Sequence, residues 1–298
     1  MEKHKILLEA SGSLTASFLI KSVQDSGNIA VASDIADCAG FHLADEFIIL
    51  PKISDPNLWD FTIQELLKRK VKFVIPTFDE TLLEWSNRKD ELAKIGIHVL
   101  ISDPKTLEIC QDKWNTYQFF NSNNIPTPNS SLAYEFPLVK PRNGRGGSGI
   151  YINPINPNMD GQISQELLTG QEYTIDVLCD HEHKPVYVIP RTRLNVKDGK
   201  SIMAQTVNHE KIENLVKDIC SKINFTGPVN IQCFESESGE IKFTEINPRI
   251  AGGMALGFQA SENWINLMIN NIFNQKPIHP KSIRFGLKMM RYYSELYI

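Results

Sequence analysis

The chain reads as a mixed α/β protein: a small, doubly wound parallel sheet comes first, followed by an α+β part built from hairpins. Three observations predict this. Short apolar runs alternate with amphipathic stretches over residues 5–101, a loop-rich segment over 104–130 interrupts them, and strands then follow one another across polar or glycine-rich turns.

Each element follows from local pattern. Strands are expected over 5–10, 29–33, 46–50, 72–77 and 97–101. The helix over 15–24 has Ser13 as candidate N-cap and Gly27 just beyond its end. A second, over 63–70, opens with Thr62 and Glu65 in capping-box spacing, and a third covers 80–94. A helix carrying Trp114, Tyr117, Phe119 and Phe120 leads into the most loop-like run, from Asn123 to Ser131. Strands are then expected over 137–140, 150–152, 172–179 and 185–189. The helix over 211–223 places Ile212, Leu215, Val216, Ile219, Cys220 and Ile223 on one face, and a last helix covers 261–273. No internal repeat is visible.

Composition narrows the classes. At 298 residues the chain holds two domains of about 150 each. A hydrophobic share of 42% and a charged share of 22% exclude collagen-like and disordered readings. The net charge of −4 argues against a nucleic-acid partner held by bulk positive charge. No apolar run approaches the roughly 18 residues of a membrane span. The opening MEKHKILLEASG is too acidic and too briefly apolar for an export signal, so a cytoplasmic location and no membrane partner are expected. The five cysteines, Cys38, Cys110, Cys179, Cys220 and Cys233, have no zinc or redox spacing and read as buried thiols.

Gly144-Arg145-Gly146-Gly147-Ser148-Gly149 satisfies GxGxxG, yet Pro154 and Pro157 close behind forbid the helix that a dinucleotide fingerprint needs. A strand–loop–strand hairpin fits better. Such a loop can fold its backbone N–H groups over phosphates, with Lys140 on the incoming strand supplying charge. A plain surface hairpin is the alternative. The turn from Ala10 to Leu14 has one glycine where a dinucleotide site has three, so only a small-ligand contact is expected there.

The segment from Val229 to Arg249 is a hairpin about Ser238-Gly239. Symmetry about that turn sets Gln232 opposite Glu245 and Asn230 opposite Asn247, with all four side chains on one face. A carboxylate with amide oxygens and no sulfur or imidazole suits Mg²⁺ over zinc. A solvated polar sheet face is the alternative reading. Arg191 and Arg193 alternate on one strand and could clamp a carboxylate. His209 reads as a cap or surface residue. His42, His98, His181, His183 and His279 show no ligand spacing.

Taken in order, these motifs resemble the ATP-grasp superfamily, in the branch similar to the carbamoyl phosphate synthase large subunit and the pyrrolysine-pathway amino-acid ligase. The resemblance implies an N-terminal pre-ATP-grasp domain over 1–105 and an ATP-grasp domain over 106–298, with a lid subdomain at about 125–165. By resemblance, Lys113 and Lys140 hold ATP phosphates beneath a flap of Gly146, Gly147 and Ser148, and Lys140 and Arg249 are catalytic. The backbones of Glu166 and Leu168 read adenine, and Glu172 holds the ribose. Gln232, Glu245 and Asn247 bind one or two Mg²⁺, with Mn²⁺ an admissible substitute. Gln232 departs from the acid that many members carry there. The Gly252-Gly253 turn resembles a substrate-side turn of this branch, although it also reads as a plain link to the last helix; Arg191, from its strand pattern alone, is a further substrate candidate with a surface arginine as the alternative.

The implied activity is an ATP-dependent carboxylate–amine ligase, an EC 6.3-like amino-acid ligase working through an acyl phosphate. The alternatives are a carbamoyl phosphate synthase-like carboxylate or carbamate kinase and a non-catalytic nucleotide-binding module. The implied partners are a small carboxylate and an amine, with homodimer formation left open. Few residues follow Arg249, so no glutaminase is expected on this chain and the amine would arrive ready-made or from another chain.

Overall fold

The computed structural model describes residues 3–144, 146–197, 200–292 and 294–298. Arg145 of the glycine loop lies outside them. Strands β1 (Lys5–Leu8), β2 (Ile29–Asp34), β3 (Glu46–Ile49), β4 (Val71–Ile75) and β5 (His98–Val99) form a parallel sheet in the order β3-β2-β1-β4-β5. Helices α1 (Ala16–Asp25), α2 (Ala39–Leu43), α3 (Leu58–Arg69), α4 (Leu82–Lys94) and α5 (Pro104–Gln111) connect and cover it, so the doubly wound reading holds. The short helices α2 and α5 have no apolar periodicity long enough to reveal them in the sequence.

Two expected caps are corrected. Ser13 does not cap α1; it lies inside the tight turn after β1, where its N–H donates to the Ala10 carbonyl and its carbonyl accepts from Ala16 N–H. Thr62 does not open α3, which begins four residues before it, at Leu58. The turn Asp55-Pro56-Asn57 sets that start, with Asp55 Oδ1 accepting from Asn57 N–H at 2.8 Å. Thr62 is buried mid-helix and donates back to Leu58 O, while Glu65 pairs with Lys68 and Arg69.

Helix α6 (Lys113–Ser122) leads to a four-stranded antiparallel sheet of β6 (Ser130–Ser131), β7 (Leu138–Pro141), β8 (Tyr151–Ile152) and β9 (Gln162–Gln165), ordered β6-β9-β7-β8. The glycine loop joins β7 to β8 and no helix follows it. Then come β10 (Gln171–Cys179), β11 (Pro185–Lys197), β12 (Lys200–Thr206), α7 (Glu210–Lys222), β13 (Gly227–Glu235) and β14 (Ile241–Asn247). With β15 (Lys288–Met290) they build an antiparallel sheet ordered β14-β13-β10-β11-β12-β15. β11 runs well past the expected stretch. In place of a single last helix, α8 (Ala255–Ala260) and α9 (Trp264–Leu267) follow in succession, the latter continuing as a π-turn over Met268–Ile272.

Three apolar clusters hold these layers. On one face of the parallel sheet Leu7, Val31 and Val74 pack against Leu66, Trp85 and Leu107. On its other face Ile6, Leu8 and Ile75 pack with Leu19 and Ile20 of α1, and also with Trp264 and Met268 from far along the chain. The parallel sheet is thus sandwiched partly by helices that follow β14, which fixes the β1 and β4 ends over the larger sheet. The third cluster seats Ile212, Val216, Ile219 and Cys220 of α7 on Ile175, Val177 and Ile231, as the helical spacing predicts. Four of the five cysteines are buried free thiols, and Cys38 is half-buried.

Candidate functional site

The polar hairpin forms the floor of the site. Gln232 pairs with Glu245 and Asn230 with Asn247, the register expected from sequence. It arises differently near the turn. There Cys233 pairs with Phe243, Phe234 with Lys242 and Glu235 with Ile241, one residue off simple symmetry, and a bulge at Thr244 restores the register at the site. The bulge keeps Phe243 and Ile246 in the core while turning Glu245 and Asn247 to the opposite face. Asn230 is corrected: it is buried, and its Nδ2 donates to Asp176 Oδ1 at 2.8 Å, so it supports the floor instead of joining an open oxygen cluster.

Next to that floor, on β10 and β11, Arg191 Nε donates to Asp176 Oδ2 at 2.9 Å, with side-chain exposures of 3% and 0%. Arg191 is therefore anchored and not freely available as a clamp. Its guanidinium lies hard against the chain at Gly253, where a Cβ would stand 2.4 Å from Nη2, so glycine is required for the close approach. Arg193 Nη1 donates to Glu172 Oε1 at 2.7 Å, which makes these two expected site residues each other's partners.

The opposite wall comes from the four-stranded sheet. Lys140, on β7, is buried and donates to Gln165 Oε1 at 2.8 Å; Gln165 in turn donates to Ser130 Oγ. Burial pushes the Lys140 ammonium down to about 8, opposed by the charge of Glu245 and assisted by that of Lys113. Lys113 Nζ donates to Gly144 O at 2.9 Å at the root of the flap. Asp112 caps α6 by accepting from Trp114 N–H, and also takes the guanidinium of Arg142, tying the helix that carries Lys113 to the end of β7. Gly146 and Gly147 have φ of +67° and +73°, the left-handed backbone that glycine allows.

At the hinge, Glu166 N–H donates to Asn129 O, and the Glu166 carboxylate accepts from Lys242 Nζ at 2.8 and 3.0 Å, which holds it below the usual range. Its N–H is thus engaged, leaving its carbonyl for any base contact. Leu168 lies two residues on, half-buried.

Arg249 follows Pro248 at the end of β14. Its Nε and Nη2 donate to Asp79 Oδ1 and Oδ2, each at 2.8 Å, and Nη2 also reaches Asn247 Oδ1 at 3.3 Å. Asp79 was not singled out from the sequence; the Asp-Glu pair after Pro76-Thr77-Phe78 was its only signal. Arg291, just past β15, was also missed. Its Nη1 donates to Leu14 O at 2.8 Å and its Nη2 to Gly252 O, while Nε is buried with no partner. His209 caps α7 through Nδ1 and bonds Glu235 through Nε2, as expected of a structural histidine.

One cleft of about 900 Å³ gathers the residues expected at the site. Lys113, Lys140, Gly146, Gly147, Ser148, Glu166, Leu168 and Glu172 lie along one part of it, with Gln232, Glu245, Asn247 and Arg249 on its floor. Arg191, Gly252, Gly253 and Arg291 line it together with Ala10, Ser13, Leu14, Thr15 and Asp34 from the parallel-sheet side. Among the described residues no three His, Cys, Asp or Glu gather as a metal cage. One carboxylate with two amide oxygens instead suits a hard ion that shares its shell with phosphates. No helix among the described residues is long and apolar enough to cross a membrane.

Comparison with known proteins agrees with this geometry. A family model described as "PylC-like, N-terminal domain" matches residues 12–100, and one described as "ATP-grasp in the biosynthetic pathway with Ter operon" matches 158–293. The chain is 27% identical over 163 residues to a carbamoyl-phosphate synthase of Methanobrevibacter smithii, covering 48% of this chain and 43% of that protein. It spans less than half the length of the curated relatives it matches. Among solved structures it is similar to the biotin carboxylase domain of a Hydrogenobacter thermophilus 2-oxoglutarate carboxylase in complex with MgADP and bicarbonate. The TM-score is 0.73 at 17% identity, over 97% of this chain and 74% of that one. An L-amino acid ligase from Bacillus licheniformis gives 0.72 at 16% identity, over 97% and 79%. Two family models thus match the chain in sequence order, a PylC-like N-terminal domain and then an ATP-grasp domain, and the fold is shared with the solved structures named above.

Proposed function

We propose that the chain is an ATP-dependent carboxylate–amine ligase working through an acyl phosphate. The observation that carries this is the single cleft, which joins two lysines, a glycine flap, a Glu/Asn/Gln floor and Arg249 to a second region lined by Arg191, Gly252–Gly253 and Arg291. The first set suits a nucleoside triphosphate and the second an anionic acid. The same reading divides the chain at about residue 105, with a lid at about 125–165.

In this reading Lys113 and Lys140 neutralise the phosphates beneath Gly146, Gly147 and Ser148. The Glu166 carbonyl and Leu168 N–H orient the base, and Glu172, shared with Arg193, receives the ribose. Glu245, Asn247 and Gln232 would hold Mg²⁺, which supplies charge neutralisation between the phosphates when bound. Arg249 is aimed by Asp79 and lies beside the moving phosphoryl group. Phosphoryl transfer rests chiefly on such positioning and charge. The substrate carboxylate, held near Arg191 and Arg291, attacks the γ-phosphorus and ADP leaves; an amine then displaces phosphate from the acyl carbon to give an amide.

A second reading, a carboxylate or carbamate kinase, is favoured by the names of the curated relatives, which are carbamoyl-phosphate synthases. One assay separates the two. The protein is incubated with Mg-ATP and pools of amino acids or bicarbonate, with and without hydroxylamine, and ADP and hydroxamate are measured. ADP that requires both acid and amine supports the ligase. ADP with acid alone and no hydroxylamine supports the kinase, and hydroxamate shows the acyl phosphate in either reading. No ADP from any pool refutes both and leaves a nucleotide-binding module.

A further inference from the structure

Glu9 ends the apolar run of β1 with its side chain buried, 6% exposed, directly behind the cleft that Ala10 lines. Its carboxyl accepts from Trp85 Nε1 at 2.7 Å, from Thr81 Oγ1 at 3.0 and 3.1 Å, and from Thr77 N–H at 3.3 Å. Its carbonyl accepts from Thr77 Oγ1 at 2.8 Å. Thr77 and Thr81 bracket the turn Phe78-Asp79-Glu80, and Asp79 is the residue that grips Arg249 at two points. Gln111 Nε2 donates to the Asp79 carbonyl and closes the other side of the turn.

We propose that Glu9 is a positioning residue for Arg249, acting through Thr77, Thr81 and Asp79. The proposal rests on the reading that Arg249 serves the phosphoryl group, but its test does not need turnover. A carboxylate behind this turn is not required for packing, since a buried charge is costly unless its donors are well placed. Here an indole N–H, a hydroxyl and the backbone N–H groups of Thr77 and Phe78 converge on it, and all but the indole come from the turn that carries Asp79 or from the residues that bracket it.

The protonation state of Glu9 reaches the turn through the Thr77 and Phe78 N–H groups, which favour the carboxylate, and through the Thr81 hydroxyl. Thr81 Oγ1 lies within hydrogen-bond distance of both Glu9 oxygens and, at 3.0 Å, of Phe78 O. Beside ionised Glu9 the hydroxyl donates to the carboxylate. Beside neutral Glu9 it accepts the carboxyl hydrogen and donates to Phe78 O, one residue before Asp79. Burial raises Glu9 to about 7 against the pull of these donors, so both states lie within the physiological range. The ionisable groups on the surrounding elements are Lys5 on β1, Asp34 on β2, Lys72 on β4, Asp79 and Glu80 on the turn, and Glu84, Arg88, Lys89, Asp90, Glu91 and Lys94 on α4. None of them is among the causes of the Glu9 shift, which is set by burial and neutral donors.

The test is the side-chain N–H spectrum of the ¹⁵N-labelled full chain, titrated between about pH 5 and 9. The Trp85 indole resonance is assigned with Trp85→Phe and the Arg249 Nε–H resonance with Arg249→Lys. Both should titrate with one shared midpoint near 7. In Glu9→Gln both should lose that titration, whereas in Asp79→Asn Trp85 should keep it and Arg249 lose it. An Arg249 resonance that does not titrate while Trp85 does, or that still titrates in Glu9→Gln, overturns the proposal. Should Glu9→Gln fail to fold, Trp85→Phe removes an indole donor that favours the carboxylate, so the Arg249 midpoint should rise; a midpoint unchanged there overturns it equally. The outcome is independent of whether ADP forms, so it separates failure of this inference from failure of the ligase reading.

Discussion

Arg249 and Asp79 meet as a two-point ion pair, Nε on Oδ1 and Nη2 on Oδ2 at 2.8 Å each, across 170 residues of sequence. Two-point contact fixes the plane of the guanidinium as well as its position. Among the described residues Nη1 has no hydrogen-bond partner, and in the proposed ligase it is the donor left for a phosphoryl oxygen. Lysine can match the charge but not the plane. Arg249→Lys should therefore lower ADP release by about 100-fold while the Mg-ATP dissociation constant changes by no more than about threefold. Unchanged turnover in a folded variant would remove Arg249 from the chemistry.

Lys140 carries a pH signature. In the free protein its ammonium is lowered to about 8 by burial. A bound triphosphate favours the charged form, so binding above that pH must take up a proton. Nucleotide affinity should fall roughly tenfold per pH unit above about 8, and calorimetry in buffers of different ionisation enthalpy should register uptake of close to one proton there. Lys140→Met should bind more weakly and lose this pH dependence; a variant that keeps it assigns the proton elsewhere.

How much of this was legible in sequence depends on what holds each residue. The register of the polar floor could be read because strand alternation and one hairpin turn set Gln232 opposite Glu245, and the bulge at Thr244 absorbed the error nearer the turn. The flap could be read because prolines after the glycines forbid a helix. Asp79, Arg291, Gln165 and Glu9 could not. Each acts through a partner between 25 and 170 residues away or, for Arg291, through carbonyls that carry no side-chain signature. The caps of α1 and α3 failed for the opposite reason: Ser13 and Thr62 had the right local spacing, but a turn and a buried helix face used them otherwise.

The Arg191–Asp176 pair separates folding from substrate recognition. Both side chains are buried, so removing one strands the other without a counter-charge. Arg191→Met should destabilise the chain by about 3–5 kcal/mol, read by chemical denaturation, and Arg191→Met with Asp176→Leu should recover much of that loss. If the pair only holds the fold, the double variant should also regain turnover. If Arg191 also faces the substrate carboxylate, the Michaelis constant for the acid should stay raised at least tenfold in the double variant, with that for ATP unchanged.

Glu245 is the one carboxylate of the floor, beside Gln232 and Asn247. Replacing it with an amide keeps its shape and removes the charge a hard cation needs. Glu245→Gln should keep its unfolding midpoint and lose ADP formation, and added Mg²⁺ should no longer strengthen nucleotide binding. In the wild type, chelation by EDTA should have the same effect, reversed by Mg²⁺. A folded, active Glu245→Gln would refute the metal assignment.

Glu9 makes a prediction about stability whose sign is opposite to that of a surface carboxylate. Its folded-state value is raised from 4.5 to about 7, so folding favours the neutral form. The contribution is fully present below 4.5 and is lost as pH rises through about 7, because the buried group must then ionise against its desolvation cost. Between about pH 5 and 8 the loss amounts to about 2–3 kcal/mol, taken from the shift at 1.4 kcal/mol per unit. Glu9→Gln carries a neutral side chain of the same shape and removes this slope. Denaturation of the wild type and of Glu9→Gln should thus give similar stabilities near pH 5 and a more stable variant near pH 8. Parallel curves over the whole range would mean that Glu9 stays ionised in the fold, held by the Trp85, Thr77 and Thr81 donors more strongly than burial opposes it.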